Sequence, residues 1–323
     1  MVINYVDPFN NKASLFEDPE GLKNSDQKLI FPIVNGAFRC TQEINYAESF
    51  GFQWNLFQKT QIDGNGDSDQ STKRFCTVTN WNSVNLEGES ILEVGSGAGR
   101  FTQVVLAHTN ANLYSVDYSN AVEANYRNNG KSKKLKLFQA SIYELPFAPN
   151  QFDKVFCFGV LQHTPDFKKS VKSLVDMTKV DGEIIIDFYP IKGWYTKINA
   201  KYIFRPLTKK LKHETLLKVI SANAGWLIFL SKLFTSIGLG KILNRFLPIC
   251  DIEKTLPKSL TRKELKEWVI LDTFDMFSPE YDNPQKISTV KQWMQDFGIQ
   301  VTFADFIKYD ENSSVAVIKG IKK

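Results

Sequence analysis

Three glycines at G-x-G-x-G spacing, Gly95, Gly97 and Gly99, stand directly behind the apolar run SILEV of residues 90–94. Glycines so placed let a ligand approach the backbone where a strand gives way to a helix, at the carboxyl edge of a sheet. Asp117 closes the next apolar run, 22 residues after Gly95, and a carboxylate there can accept hydrogen bonds from both hydroxyls of a ribose. Together these residues read as a nucleoside site. Glu93, two residues ahead of the first glycine, narrows the ligand. A carboxylate beside a pyrophosphate is repelled, whereas one beside an ammonium group is attracted.

The surrounding pattern alternates between strands and helices. SILEV, ANLYSVD, KLKLFQAS, FDKVFCFG and DGEIIIDFY read as five strands, with helices after the glycines, over 119–129 and over 166–178. Val290, Trp293, Met294 and Phe297 mark another helix, and IQVTFADF and SSVAVIKGI close the chain as an antiparallel hairpin. The expected fold is α/β: a doubly wound, seven-stranded, mainly parallel sheet of the Rossmann-like kind. It would carry an N-terminal helical extension (1–89), a core (90–189), a helical cap inserted after the fifth strand (190–284) and a completing helix with two strands (285–323). Within the extension, Tyr46, Phe50, Trp54 and Phe57 repeat at helical spacing, and the polar stretch DGNGDSDQST reads as a mobile loop.

Four ordered motifs, ILEVGSGAGRFT (91–102), LYSVDYS (113–119), ELPFAPNQFDKVFCFGVLQHTPD (144–166) and the strand after Asp181-Gly182, cover about residues 90–190. Their order and spacing resemble the class I S-adenosylmethionine (SAM)-dependent methyltransferases, especially the ubiquinone/menaquinone-biosynthesis branch. The resemblance implies SAM as methyl donor, with S-adenosylhomocysteine as its product. It implies that Gly95, Ser96, Gly97 and Gly99 pass under the methionine part, with Glu93 beside them, and that Asp117 and Tyr118 meet the ribose. Phe158 and Gly159 complete that side of the site. The family's usual adenine-binding Asp is here Ser141, a weaker acceptor, which shifts weight to the backbone of Ile142. The stretch YAESFGFQWNLFQKTQID and the later KRF resemble an N-terminal extension of methyltransferases from surface-glycan and secondary-metabolite pathways. By that likeness Phe50, Trp54 and Phe57 form a lid over SAM and Arg74 lies near its carboxylate. The alternative is that these aromatics pack the extension onto the sheet.

Methyl transfer from a sulfonium needs a general base only if the acceptor keeps its proton until attack, as a hydroxyl does. His163, just past the fourth strand, is the candidate; it could equally cap the next helix. Asp187 and Tyr189 leave the fifth strand as secondary candidates, though a carboxylate there could equally pair with a nearby lysine. Asp272, Asp275 and Tyr281 cluster ahead of the last helix, where Asp272 and Asp275 could orient sugar hydroxyls, cap helices or pair with the basic stretch. No [DN]-P-P-[YFW] turn follows the fourth strand and no Pro-Cys pair is present, which speaks against adenine-amino and cytosine-C5 acceptors. The reading is O-methylation of a small-molecule or glycan-like acceptor. The alternatives are C-methylation of a lipid or quinone, and a non-catalytic SAM-binding partner.

The net charge of +5 is unevenly spread. Residues 190–250 hold nine Lys and two Arg against Glu214 alone, which is 11 − 1 = +10. Such a segment suits an anionic membrane, an acceptor bearing phosphate or lipid, or a solvated cap; nucleic acid is the less favoured use. Its uncharged run, residues 219–231, is too short to span a bilayer. Cys40, Cys76, Cys157 and Cys250 lie far apart without a C-x-x-C pair, so neither a disulfide framework nor a metal is expected. The N-terminus lacks a signal-peptide pattern, and a cytoplasmic location, with peripheral membrane contact through 190–250, is the expectation.

Overall fold

The computed structural model describes residues 3–41, 46–64, 69–256, 260–311 and 313–323. Part of the DGNGDSDQST stretch, residues 65–68, lies outside them. Apolar runs buried on both faces form the centre of the sheet: β6 (Ser90–Val94) is buried at every position. It is flanked by β7 (Asn112–Asp117) and β9 (Phe152–Cys157), and beyond these by β8 (Leu135–Ala140) and β10 (Thr178–Phe188), all parallel. Helices α3 (Arg100–His108), α4 (Val122–Asn129) and α5 (Phe167–Met177) connect them. Asp166 caps α5 by accepting from the Lys169 N–H, and Phe167, Val171, Leu174 and Val175 turn its apolar face to the core. After α11 (Ile287–Asp296), β11 (Ile299–Lys308) and β12 (Ser314–Lys322) form an antiparallel pair, with β12 against β10.

The seven-stranded expectation is corrected: among the described residues the sheet has twelve strands, in the order β1-β2-β3-β4-β5-β8-β7-β6-β9-β10-β12-β11. The extension is not helical throughout. It begins with β1 (Tyr5–Asp7), β2 (Ala13–Asp18), β3 (Gly21–Lys23), β4 (Leu29–Val34) and β5 (Ala37–Cys40), an antiparallel ribbon whose last strand runs parallel to β8. Phe38 of β5 stacks on Phe138 of β8 with ring centroids 4.7 Å apart. Helices α1 (Glu48–Leu56) and α2 (Gln70–Thr79) follow.

The cap comprises α6 (Ala200–Thr208), α7 (His213–Ser236), α8 (Gly240–Leu243), α9 (Ile252–Thr255) and α10 (Arg262–Phe277). Its core joins Leu227 to Trp268 and Val269, and Leu216 and Ile220 to Phe274 and Phe277. The uncharged run belongs to a longer element than its own length indicates. At 24 residues, α7 is long and apolar enough to cross a membrane by length and composition alone.

Candidate active site

A cavity of about 510 Å³ opens where the carboxyl ends of β6, β7, β9 and β10 meet α1, α2 and the cap. The loop after β6 forms its floor, because all three glycines adopt positive φ. At Gly97 the close approach is to Trp54: a Cβ there would sit 2.9 Å from the indole Nε1. Trp54 therefore lies directly over the loop. Asp117 fixes the loop from β7, with Oδ2 accepting from the Gly97 N–H (2.8 Å) and Oδ1 from the Ser119 N–H and hydroxyl (2.8 and 2.7 Å). Burial lifts the Asp117 carboxyl above its ordinary range, partly offset by those bonds.

His163 follows β9 in a short turn and is 4 % exposed. Its Nδ1 lies 3.1 Å from the Tyr281 carbonyl, which can only accept, so Nδ1 carries the proton. Nε2 is left as a buried lone pair with no partner among the described residues. Burial lowers the imidazole pKa, with Lys201 adding to the effect and Asp275 opposing it. Phe50 of α1 packs 5.1 Å from the ring.

The structure brings Trp54, Arg74, Gly95, Ser96, Gly97, Asp117, Tyr118, Ile142, Phe158, Gly159, His163, Tyr189, Asp272 and Asp275 to this one cavity. Five expected residues stand outside its lining, each for a physical reason. Glu93 is turned into the protein, where it accepts from the Thr102 (2.5 Å) and Ser115 (2.7 Å) hydroxyls. Gly99 is packed against Asn125 and Asn129 of α4. Ser141 is buried, with its hydroxyl accepting from the Tyr143 N–H. Asp187, fully buried, accepts from Arg74 (2.5 Å) and from the Gly159 N–H (2.6 Å), and so positions two residues that do line the cavity. Tyr281 contributes its carbonyl to His163 and sets its ring on Tyr46.

The Glu93 network predicts a pH effect. Burial raises this carboxyl from 4.5 to about 7. Its contribution to stability is therefore full below the ordinary carboxyl range and is lost as pH rises through about 7, where the unfolded chain ionises more readily than the folded one. The loss amounts to roughly 3 kcal/mol. Glu93→Gln removes this component, so its melting temperature should fall less than the wild type's between about pH 5 and about pH 8. Parallel melting curves would disprove it.

Sequence reasoning missed Gln61 and Arg100. Gln61 donates to Asp272 Oδ1 (3.1 Å) and accepts from Arg100 (2.6 Å), tying α10 of the cap to α3 of the core. Arg100 lines the cavity, and burial, with Arg74 nearby, draws its pKa down to about 10. A signal was present: a cation in the first turn of α3 opposes the helix dipole and needs another reason to be there. Asp272 faces this group, its carboxyl raised to about 7 by burial and by Asp275.

Residues 92–186 match the family model described as a methyltransferase domain. The chain is 24 % identical over 147 residues to a tRNA U34 carboxymethyltransferase of Campylobacter curvus, covering 44 % of this chain and 48 % of that protein. It is 27 % identical over 131 residues to a ubiquinone biosynthesis O-methyltransferase of Coxiella burnetii, covering 39 % and 56 %. The chain thus spans about half the length of the curated relatives it matches. Among solved structures, magnesium protoporphyrin IX methyltransferase from Synechocystis aligns with a TM-score of 0.44 and 16 % identity, over 86 % of this chain and 97 % of that one.

Proposed function

We propose that the protein is a class I SAM-dependent methyltransferase, as the match of residues 92–186 to a methyltransferase-domain model supports, and that it transfers the methyl group of SAM to a hydroxyl of a small or glycan-like acceptor held between core and cap. The residues present suit the donor. The glycine loop offers backbone that no side chain blocks, and Asp117 Oδ2 keeps a lone pair beyond its bond to Gly97. Ser96 Oγ, Gln53 Oε1 and Arg74 Nε, all buried and belonging to cavity-lining residues, have no partner among the described residues. When bound, SAM supplies a methyl group already activated by its sulfonium.

The chain's own part is then to align the acceptor, exclude water and take a proton. The buried Nε2 lone pair of His163 is the observation that carries the oxygen-directed reading. Nε2 accepts the hydroxyl proton while Nδ1–H stays on the Tyr281 carbonyl, which fixes the tautomer. Phe50 packs against the imidazole, and the lowered pKa keeps the ring neutral at neutral pH with its Nε2 lone pair available. Asp272 and Asp275 line the same cavity from the cap and would orient acceptor hydroxyls. The name of the Coxiella relative, an O-methyltransferase, supports an oxygen acceptor.

His163→Gln should lower kcat about 100-fold while the Kd for SAM stays unchanged. The acid limb of the wild-type rate profile should have its midpoint below the ordinary histidine value of about 6.5. A fully active variant would remove the base role. If SAM binds but no candidate acceptor yields S-adenosylhomocysteine, the protein is a SAM-binding partner instead. A methyl group found on carbon would favour the lipid- or quinone-type acceptor.

A further inference from the structure

We propose that the outer face of the cap is a docking surface for an anionic lipid bilayer. Among the described residues, 24 large apolar side chains are exposed, and 15 of them lie between 190 and 250. On α7 these are Val219, Trp226, Phe229 and Leu233, with Ile237 at its end. At 100° per residue the five fall within an arc of roughly 80°, a single stripe. The opposite side of α7 carries Leu216, Ile220, Ala224 and Leu227, all buried in the cap. Ile203, Phe204 and Leu207 of α6 are exposed as well, and Trp194 is 86 % exposed. These pieces are tied together. Arg245 donates to the Tyr195 and Ile198 carbonyls, and Asn244 donates to the Ser231 carbonyl of α7.

Exposed apolar patches of this extent mark interaction surfaces. The charge around this one selects the partner. Lys209, Lys210, Lys212, Lys218, Lys232 and Lys241 are all exposed, and no acid among the described residues lies within ion-pair distance of them. A second copy of this face would bring +10 against +10. A nucleic acid would use the lysines but leave Val219, Leu233, Ile237, Ile203 and Leu207 without a role. Anionic lipid uses both, with acyl chains taking the stripe and headgroups the lysines. The helix lies along the surface and does not cross it, because spanning would strip Leu216, Ile220 and Leu227 from α10. This inference does not depend on the methyl-transfer reading.

The test uses the full chain with vesicles of phosphatidylcholine, alone or mixed with phosphatidylglycerol. Co-sedimentation should favour the anionic vesicles by at least about tenfold and weaken as salt is raised. Trp226→Glu with Phe229→Glu should cut that binding at least about tenfold, and Lys209→Glu with Lys210→Glu similarly. Neither pair lines the cavity, so SAM affinity should remain unchanged, which reports that the variants fold. Equal binding to both vesicle types, or binding to neither, overturns the proposal. So does a dimer that Phe229→Glu dissolves, or retention of transfer RNA by a protein that ignores vesicles.

Discussion

Asp117→Ala should weaken SAM binding on the order of 1,000-fold, measured by isothermal titration. In the proposed site one charge-assisted hydrogen bond from a ribose hydroxyl to Oδ2 is at stake, contributing about 1.5–3 kcal/mol, and loss of the bonds that hold Gly97 and Ser119 adds to it. The same carboxylate also holds the Gly97 N–H and the Ser119 turn, so its removal would loosen the floor of the cavity as well as remove the proposed ribose contact. Asp117→Asn retains one acceptor oxygen and should fall between wild type and alanine. The melting temperature separates loss of contact from loss of fold, because the surrounding β6 and β7 remain paired. If Asp117→Ala binds SAM as the wild type does, the donor site has been assigned to the wrong residues.

Arg74→Met should destabilise the protein by about 3–5 kcal/mol, the cost of leaving one member of a buried pair alone. Asp187 is fully buried, with Arg74 as its cationic partner at 2.5 Å. Burial already lifts the Asp187 carboxyl above its ordinary range, and Arg74 is the main influence holding it down. Without the arginine the carboxyl rises further. A raised folded-state pKa means that stability is fullest at low pH and is lost as pH rises through that value. The deficit of the variant should therefore shrink in acid, where a neutral Asp187 is tolerated, and widen towards neutral pH. Chemical denaturation at several pH values reads this directly. A deficit independent of pH would mean that the arginine matters for packing on Phe101 and Phe158 and not for its charge. Arg74→Met with Asp187→Leu should recover much of the loss.

The core was legible because its strands are buried on both faces and write near-continuous apolar runs, as SILEV does. The ribbon β1–β5 was not legible. ASLFED buries one side chain, Leu15, and strands of three residues such as β1 and β3 carry no periodicity at all. Their stability comes from pairing across the chain, Phe38 with Phe138 being a hundred positions apart, and a local window does not register that. In the site, many of the motif residues close to the strand ends line one cavity, whereas Gly99, Ser141 and Asp187 are taken up by packing and hydrogen bonds inside the protein. Glu93 also turns inward, because its neighbours Thr102 and Ser115 supply two hydroxyls to its carboxylate. Asp187 pairs with a cation, but with Arg74 of the extension, 113 positions away, and not with a nearby lysine.

The ribbon also changes what the sheet presents to other chains. Strand β1 does not end it openly, because Tyr5 bridges to Phe147, the Val6 N–H reaches the Pro146 carbonyl (3.1 Å) and the Ala148 N–H reaches the Asn4 carbonyl (2.9 Å). That flank curls back onto the loop after β8 and has no free row of donors and acceptors. Among the described residues, only β11 remains as an open edge. It is interrupted by a register shift between Val301 and Phe303 and carries Asp305 and Lys308, devices that discourage strand addition. Removing the first forty residues would uncover β8 as a second, apolar edge and turn a protected sheet into an aggregation template.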